Sequence, residues 1–262
     1  MRHQIASHEQ NFLGVSALLF AASVAVTIVW CASMSTMGEM SMPGGWKMSM
    51  VWMRMPGQTW LDVAGSFLGM WVVMMIAMML PSLVAMLRRF RLTLASTGEQ
   101  RLGRFTVLVG VGYFFVWTLF GVAVFSVGVA LAMIEMQEIA LARVVPVAVG
   151  VIVLMAGALQ FTPLKAHYLA CCRDAPSFCK SGCADAATAW RQGLRLGLHC
   201  SYCCANLMAI LLAIGVMDLR AMAVVMTAIT AERLAPAGEW AARAIGIVVM
   251  GAGSILIAQA AG

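Results

Sequence analysis

The residues best suited to chemistry in this sequence are sulfur-containing side chains, which fall into separate methionine and cysteine groups. Of the 23 methionines, eight lie between Met34 and Met55 and five more between Met70 and Met79. Of the eight cysteines, seven lie between Cys171 and Cys204. Thioethers and thiolates are soft ligands, and soft ligands select Cu(I). These groups therefore predict a soft-metal site, with Cu(I) favoured and zinc as the alternative.

The cysteines contain one group with helical spacing. Cys200, Cys203 and Cys204 are three or four residues apart and share a helix face. A second group lies upstream, where Cys171 and Cys172 precede Cys179 and Cys183. Three thiolates, or two with an imidazole, suit Cu(I) or Zn(II). The candidate ligands of this kind are Cys200, Cys203, Cys204, Cys172, Cys171, His199 and His167.

Two other interpretations of the cysteines stay open. The C-x-x-C spacing of Cys200 and Cys203 at a helix start is also that of a redox motif, which passes electrons to a quinone or a partner thiol. A buried cysteine is in addition a small hydrophobic residue that packs without any reaction.

The methionines form two patterns. In the first, Met34, Met37 and Met40 are spaced by three within a segment also rich in M-x-M pairs, which indicates metal capture. The alternative is an amphipathic flap on the bilayer, helped by neighbouring tryptophans. In the second pattern, methionines spaced by four share one helix face. They would either line a path for a soft cation or pack flexibly in the core. The members of this pattern are Met70, Met74 and Met78.

Composition restricts the class of protein. Hydrophobic residues make up 62% of the chain, charged residues only 11%, and the mean hydropathy is +0.91. Soluble domains are about 45–50% apolar and about 25% charged. The sequence therefore excludes a soluble enzyme, a nucleic-acid binder and a disordered chain. The net charge of +6 is explained by the excess of Lys and Arg that membrane proteins carry in their cytoplasmic loops.

Apolar segments long enough to cross a bilayer predict an all-α, polytopic transmembrane bundle in one domain, 1–262. We expect seven spanning helices, or six if the short sixth is re-entrant. A Met-rich exterior loop is expected over 33–60 and a Cys-rich cytoplasmic connector over 163–198. The predicted spans are 11–32, 61–87, 105–134, 144–161, 199–216, 221–234 and 242–260.

The distribution of basic residues predicts the orientation. Arginines crowd the second and fourth loops, and the positive-inside rule makes those loops cytoplasmic. The N-terminus would then be cytoplasmic and the C-terminus exterior. Thiols on the cytoplasmic side stay reduced, whereas thioethers bind metal outside without competition from protons.

Two charged residues fall near predicted spans. Glu232 lies near the end of the sixth span and Lys165 follows the fourth. Ionisable groups inside membrane spans are functional candidates. Either both lie at the interface and snorkel, or both are buried, where Glu232 would balance a cation or pair with Lys165.

These features resemble a known family. The stretches G-M-W-V-V-M-M, A-M-M-L-P-S and Q-F-T-P-L-K, together with Cys172, Cys200 and the Cys203–Cys204 pair, are similar to bacterial integral membrane proteins grouped as domain of unknown function 2182. The family pattern has a cysteine where this chain has Tyr168. The resemblance implies metal binding and a place in the bacterial inner membrane, with the lipid bilayer as surroundings.

We therefore expect a membrane protein that binds Cu(I) for transport or delivery, passing it from the outer methionines to the inner cysteines. The alternatives are a thiol redox protein using Cys200 and Cys203, and a non-catalytic accessory subunit of a copper-dependent membrane complex. A catalytic role is not favoured. A membrane-protein partner or a second copy of the chain fits the apolar surface, and nucleic acid does not.

Overall fold

The computed structural model describes the chain except residues 1, 36–38, 43–45, 55, 96–101, 175–184 and 262. The described residues form eight helices and one two-stranded hairpin, so the predicted all-α bundle is confirmed. The helices are α1 (Arg2–Ser35), α2 (Trp60–Ala95), α3 (Leu102–Gln137), α4 (Ile139–Leu159), α5 (Pro163–Asp174), α6 (Ala186–Ile214), α7 (Leu219–Leu234) and α8 (Gly238–Ala261).

Six helices among the described residues are long and apolar enough to cross a membrane, namely α1, α2, α3, α4, α6 and α8. The expected short sixth span is α7, with 16 residues. At 1.5 Å per residue α7 is about 24 Å long, less than the roughly 30 Å of a bilayer core. Among the described residues, the helices long enough to span therefore number six, which was the expected alternative for a short sixth segment.

Contacts define the directions of the first three helices. The carboxylate of Glu9 on α1 pairs with Arg91 near the end of α2, at 2.9 Å. At the other end of α1, the ring of Trp30 lies against Gly69. Between α2 and α3, Trp71 Nε1 donates to the Trp117 carbonyl and Phe67 contacts Phe125. The helix α2 therefore runs antiparallel to both α1 and α3.

Small residues bring α6 onto α3 with the two helices parallel. A Cβ at Gly193 would lie 2.4 Å from the Val109 carbonyl oxygen, and one at Gly197 would lie 3.0 Å from the Tyr113 carbonyl oxygen. Glycine at such points lets two helix backbones approach closely, as is common between membrane helices. This contact fixes the height of every residue on α6 relative to α3.

The helix α6 begins at Ala186, thirteen residues before the expected span at His199. The expected connector over 163–198 therefore contains α5 and the first turns of α6. Arg191 and Arg195 gave this stretch a polar composition, but both are exposed while Leu196 is buried. The turns are amphipathic, with the glycine face on α3.

The antiparallel pair α4 and α8 is also built on glycine. Gly150 of α4 packs on Ile257 of α8, and Gly157 packs on Met250. The beginning of α8 therefore lies at the end of α4, and α7 returns the chain to that side despite its short length. Asp218 caps α7 by accepting bonds from the backbone of Arg220 and Ala221.

The Met-rich segment is more structured than the expected loop over 33–60. Strand β1 (Glu39–Ser41) pairs antiparallel with β2 (Lys47–Ser49), and a turn of 3-10 helix, Met50–Trp52, follows. Trp46 Nε1 donates to the Ala142 carbonyl at 2.8 Å. The hairpin therefore lies on the end of the bundle where α3 meets α4.

Replacing Gly193 by alanine should destabilise the bundle, because the new Cβ would lie 2.4 Å from a backbone carbonyl oxygen and force α3 and α6 apart. We expect a loss of about 1–3 kcal/mol. The matched control is Gly110→Ala on α3, where a Cβ meets nothing within 4 Å. Thermal unfolding in detergent, followed by circular dichroism, measures both variants, and equal midpoints would contradict this packing.

Candidate metal centre

Three free cysteines converge in the core of the bundle. Cys200, Cys203 and Cys204 are each 1% exposed. The Cys204 thiol is hydrogen-bonded to both Cys200 and Cys203. The helical spacing of these residues places all three thiols on the face of α6 that turns toward its neighbours.

The thiols lie halfway along α6 rather than at its start. Cys200 follows the first residue of α6 by fourteen residues, which corresponds to about 21 Å of helix. The expectation that the cysteines open a span at its cytoplasmic end placed them too near the bundle surface, since it began the helix at His199.

Tyr113 of α3 completes one side of the cysteine cluster. Its hydroxyl lies 2.8 Å from Cys200 Sγ, and the side chain is fully buried. A buried tyrosine hydroxyl requires a hydrogen-bond partner. Sequence analysis missed Tyr113, although a tyrosine within an otherwise apolar helix is itself a signal of a polar site.

Arg233 of α7 supplies a positive charge close to the cysteines. The residue is 7% exposed, and its Nη1 donates to Ser82 Oγ of α2 at 3.2 Å. Its charge interacts with Cys200 and Cys204. In the sequence Arg233 was only the neighbour of Glu232, and its role depends on the packing of α7.

Lys165 and Glu232 form a buried ion pair beside the cluster. Lys165 Nζ lies 2.7 Å from Glu232 Oε2, and their side chains are 5% and 1% exposed. Gln160 Nε2 donates to the other carboxylate oxygen at 2.7 Å. Of the two placements that the sequence allowed, interfacial or buried, the structure therefore has the buried pair.

The same lysine contacts the backbone of the cysteine helix. Lys165 Nζ donates to the Cys203 carbonyl at 2.6 Å and lies 3.4 Å from Asn206 Oδ1. Asn206 in turn donates to the Ala156 carbonyl of α4. This network joins α4, α5, α6 and α7 at the level of the cluster.

The two candidate histidines are more exposed than the clustered thiols. His199 is half-buried, and its Nδ1 lies 2.8 Å from the carbonyl of Arg195 on its own helix. His167 is exposed and contacts the ring of Tyr168. Tyr168, at the position where the family pattern has cysteine, stacks on Tyr202 at 5.3 Å.

The remaining candidate ligands of the connector lie outside the described side chains. Cys171 and Cys172 lie in α5, but their side chains are outside the described part, as are Cys179 and Cys183 altogether. Within the described residues, no three His, Cys, Asp or Glu side chains are arranged as a preformed metal site. A metal at the cysteine cluster would therefore require the thiols to move or thioether ligands to join them.

The methionines of α2 are all inside the bundle. Met70, Met74 and Met78 are 1–3% exposed, as expected for one helix face. Because Trp71 is bonded to Trp117 and α2 runs opposite to α3, Met74 lies near the height of Tyr113 and Cys200. The methionine row, completed by the fully buried Met75 and Met79, therefore reaches the level of the cysteines.

The outer methionines occupy two different surroundings. Met34 lies on the last turn of α1 and packs on the main core, whereas Met40 lies in β1 opposite Met48 of β2. Met37 is outside the described residues. Met34 and Met40 therefore belong to different elements, because α1 ends at Ser35 before the strand begins.

The buried ion pair yields a double-mutant test. Lys165→Met or Glu232→Gln alone leaves one buried charge without its counter-ion, so each should cost about 3–5 kcal/mol of stability. The double variant should be less destabilised than the sum of the two. The free energies of unfolding are measured in mixed micelles. The control is Glu239→Gln at an exposed position of α8, whose stability should stay within about 0.5 kcal/mol of wild type. Strict additivity would contradict direct coupling of the pair.

The part of the chain that contains these residues is similar to a known protein family. A protein-family model described as a copper chaperone, PpoB2, matches residues 68–256. No curated protein and no solved structure matches the chain. The match spans well over half of the sequence, including the methionine row, the ion pair and the three clustered thiols, and it shows a copper-related family. The chain belongs to the copper chaperone family.

Proposed function

We propose that this protein is a membrane-embedded chaperone that holds Cu(I) on Cys200, Cys203 and Cys204 and delivers it across or within the bilayer. The observation that carries the proposal is the convergence of three buried thiols beside Arg233 in a chain of the copper chaperone family. Thiolates are the ligands that Cu(I) prefers.

The charges around the cluster suit a bound monovalent cation. Two thiolates and one Cu(I) carry a net charge of −1, which the single positive charge of Arg233 balances. The Lys165–Glu232 pair is already neutral in itself. Since an unbalanced charge in an apolar interior costs several kcal/mol, this balance favours a site of two thiolates, with the third sulfur available for exchange. Copper binding would then release protons from the thiols.

The methionine row of α2 gives a route to the cluster. Met70, Met74 and Met78 follow one another at one-turn intervals, about 6 Å apart along the helix. A thioether is an uncharged ligand and holds Cu(I) less tightly than a thiolate. A bound ion would therefore exchange along the row and come to rest on the cysteines.

The hairpin over α3 and α4 would act as the collecting site. Met40 and Met48 are cross-strand partners, and Met42 follows directly after β1. Met42 and Met48 are buried against Ala132 and Ala142, with Met40 and Met53 packed beside them. These thioethers would present soft ligands at the bundle end farthest from the arginines of α2.

In this proposal the hairpin lies on the exterior side of the membrane, which the distribution of basic residues favours. Arg88, Arg89 and Arg91 lie at the opposite end of α2, which the positive-inside rule assigns to the cytoplasm of a bacterial inner membrane. The N-terminus of α1 would share that side. Because α8 begins beside the end of α4, the C-terminus would lie with the hairpin.

Replacing Cys200, Cys203 and Cys204 together by serine should abolish tight Cu(I) binding, because the hydroxyl is a hard and protonated substitute for a soft thiolate. Copper is counted by elemental mass spectrometry on protein purified in detergent under reducing conditions. Tyr202→Phe, an exposed residue on the same turn of α6, is the control and should retain its copper. Equal copper in the triple variant and the control would contradict the proposal.

Replacing Met74 and Met78 together by leucine should slow delivery while leaving tight binding unchanged. Leucine conserves the packing volume but removes the sulfur from the proposed route. The measurement is Cu(I) arrival at a chelating dye inside proteoliposomes, with Met155→Leu on the exposed face of α4 as the control. Delivery at the wild-type rate would remove the methionine row from the mechanism.

A further inference from the structure

A second group of sulfur atoms involves α1 and the turn between α6 and α7, and is remote in sequence from the cysteine cluster. Cys31 of α1 is 6% exposed, and its Sγ lies 4.0 Å from the Sδ of Met217. The two residues are separated by 186 positions and meet only through folding. Sequence analysis left Cys31 as an isolated cysteine.

The backbone holds Met217 in this position. It lies between α6 and α7, where Gly215 adopts φ of +140°, a region open to glycine. The Asp218 N–H donates to the Gly215 carbonyl, and the Asp218 side chain caps α7. The thioether therefore projects from a short, well-bonded turn rather than from a mobile loop.

A third sulfur lies on the same face of α1. Met34 is three residues after Cys31, so the two side chains are neighbours on the helix. Both residues belong to the packing of the main core, which Met217 also joins. Met34 therefore offers a second thioether on the α1 side of the Cys31–Met217 contact.

We infer that Cys31, Met217 and Met34 form a second Cu(I) site, which serves as an intermediate between the outer hairpin and the cluster at Cys200. With metal–sulfur bonds of about 2.3 Å, two ligands of a trigonal ion lie about 4.0 Å apart. The Cys31–Met217 distance is therefore already that of a three-sulfur site.

The charge of this group also fits a monovalent cation. One thiolate and one Cu(I) are together neutral, so the complex needs no counter-ion in its apolar surroundings. When the ion binds, the Cys31 thiol loses its proton to solvent and a copper–sulfur bond replaces the sulfur–hydrogen bond. No change in oxidation state is involved.

The position of the site connects it to the proposed route. Trp30, the neighbour of Cys31, packs on Gly69, the neighbour of Met70. Cys31 therefore lies at the height where the methionine row of α2 begins. A mixed thiolate and thioether site should bind more tightly than the hairpin thioethers and less tightly than the three clustered thiols, which is the order that inward movement requires.

This inference rests on the proposed function and is tested by counting Cu(I) equivalents against a competing Cu(I) chelator, in detergent and under reducing conditions. We expect each of the variants Cys31→Ser and Met217→Leu to lose one bound Cu(I) of intermediate affinity and to retain the most tightly bound Cu(I). Retention of the tightly bound Cu(I) also shows that the variant folds. The exposed Met155→Leu is the control and should bind as wild type does.

The triple serine variant of the cysteine cluster separates the two proposals. It should lose the tightest equivalent and keep the one that depends on Cys31. If both Cys31→Ser and Met217→Leu bind Cu(I) as the wild type does, the second site is overturned and the cysteine cluster is unaffected. Loss of an equivalent at Cys31, with the tightest one retained in the triple variant, would support the second site and overturn the assignment of the cluster.

Discussion

The buried ion pair between Lys165 and Glu232 is the interaction on which the centre of the bundle depends. Two opposite charges this deep in an apolar interior are tolerated only because each has further partners. Lys165 uses its remaining donors on the Cys203 carbonyl and on Asn206, and Glu232 accepts from Gln160. The pair thereby ties α5 and α7 to the turn of α6 that carries the thiols.

The glycine contacts provide the complementary constraint. Gly193 and Gly197 allow α6 to approach α3 closely enough for the Tyr113 hydroxyl to reach Cys200. Larger residues at those two positions would separate the backbones and open that contact. Close packing on one side and the ion pair on the other therefore fix the height and the rotation of the cysteine face.

Those parts of the structure that depend on local pattern could be predicted from the sequence. The all-α bundle follows from hydropathy, the shared face of Cys200, Cys203 and Cys204 follows from helical period, and the burial of Met70, Met74 and Met78 follows from both. The start of α6 could not be predicted in this way, because the arginines on its exposed face lowered the hydropathy of turns that pack on α3.

Contacts between residues far apart in the sequence could not be predicted from the local sequence pattern. Nothing in the neighbourhood of Tyr113 or Arg233 in the sequence indicates that they meet the same thiols, since the meeting depends on how α3, α6 and α7 pack together. The pairing of Cys31 with Met217 is of the same kind. Composition could identify sulfur as the chemistry, but only the fold could sort the sulfur atoms into groups.

The sorting of sulfur by height has a consequence for how Cu(I) would be held. An ion passing through an apolar interior needs either a water-filled path or a succession of ligands that replace one another without releasing it. Thioethers add no charge, so the ion keeps its single positive charge along the α2 row, and each thiolate that joins lowers the total by one. The balance becomes neutral at one thiolate, and at two it becomes negative, where Arg233 restores neutrality. Because the desolvation cost falls as the charges balance, a Cu(I) ion would be stabilised where the thiols and the arginine meet. Such retention of the cargo would separate a chaperone from a pore.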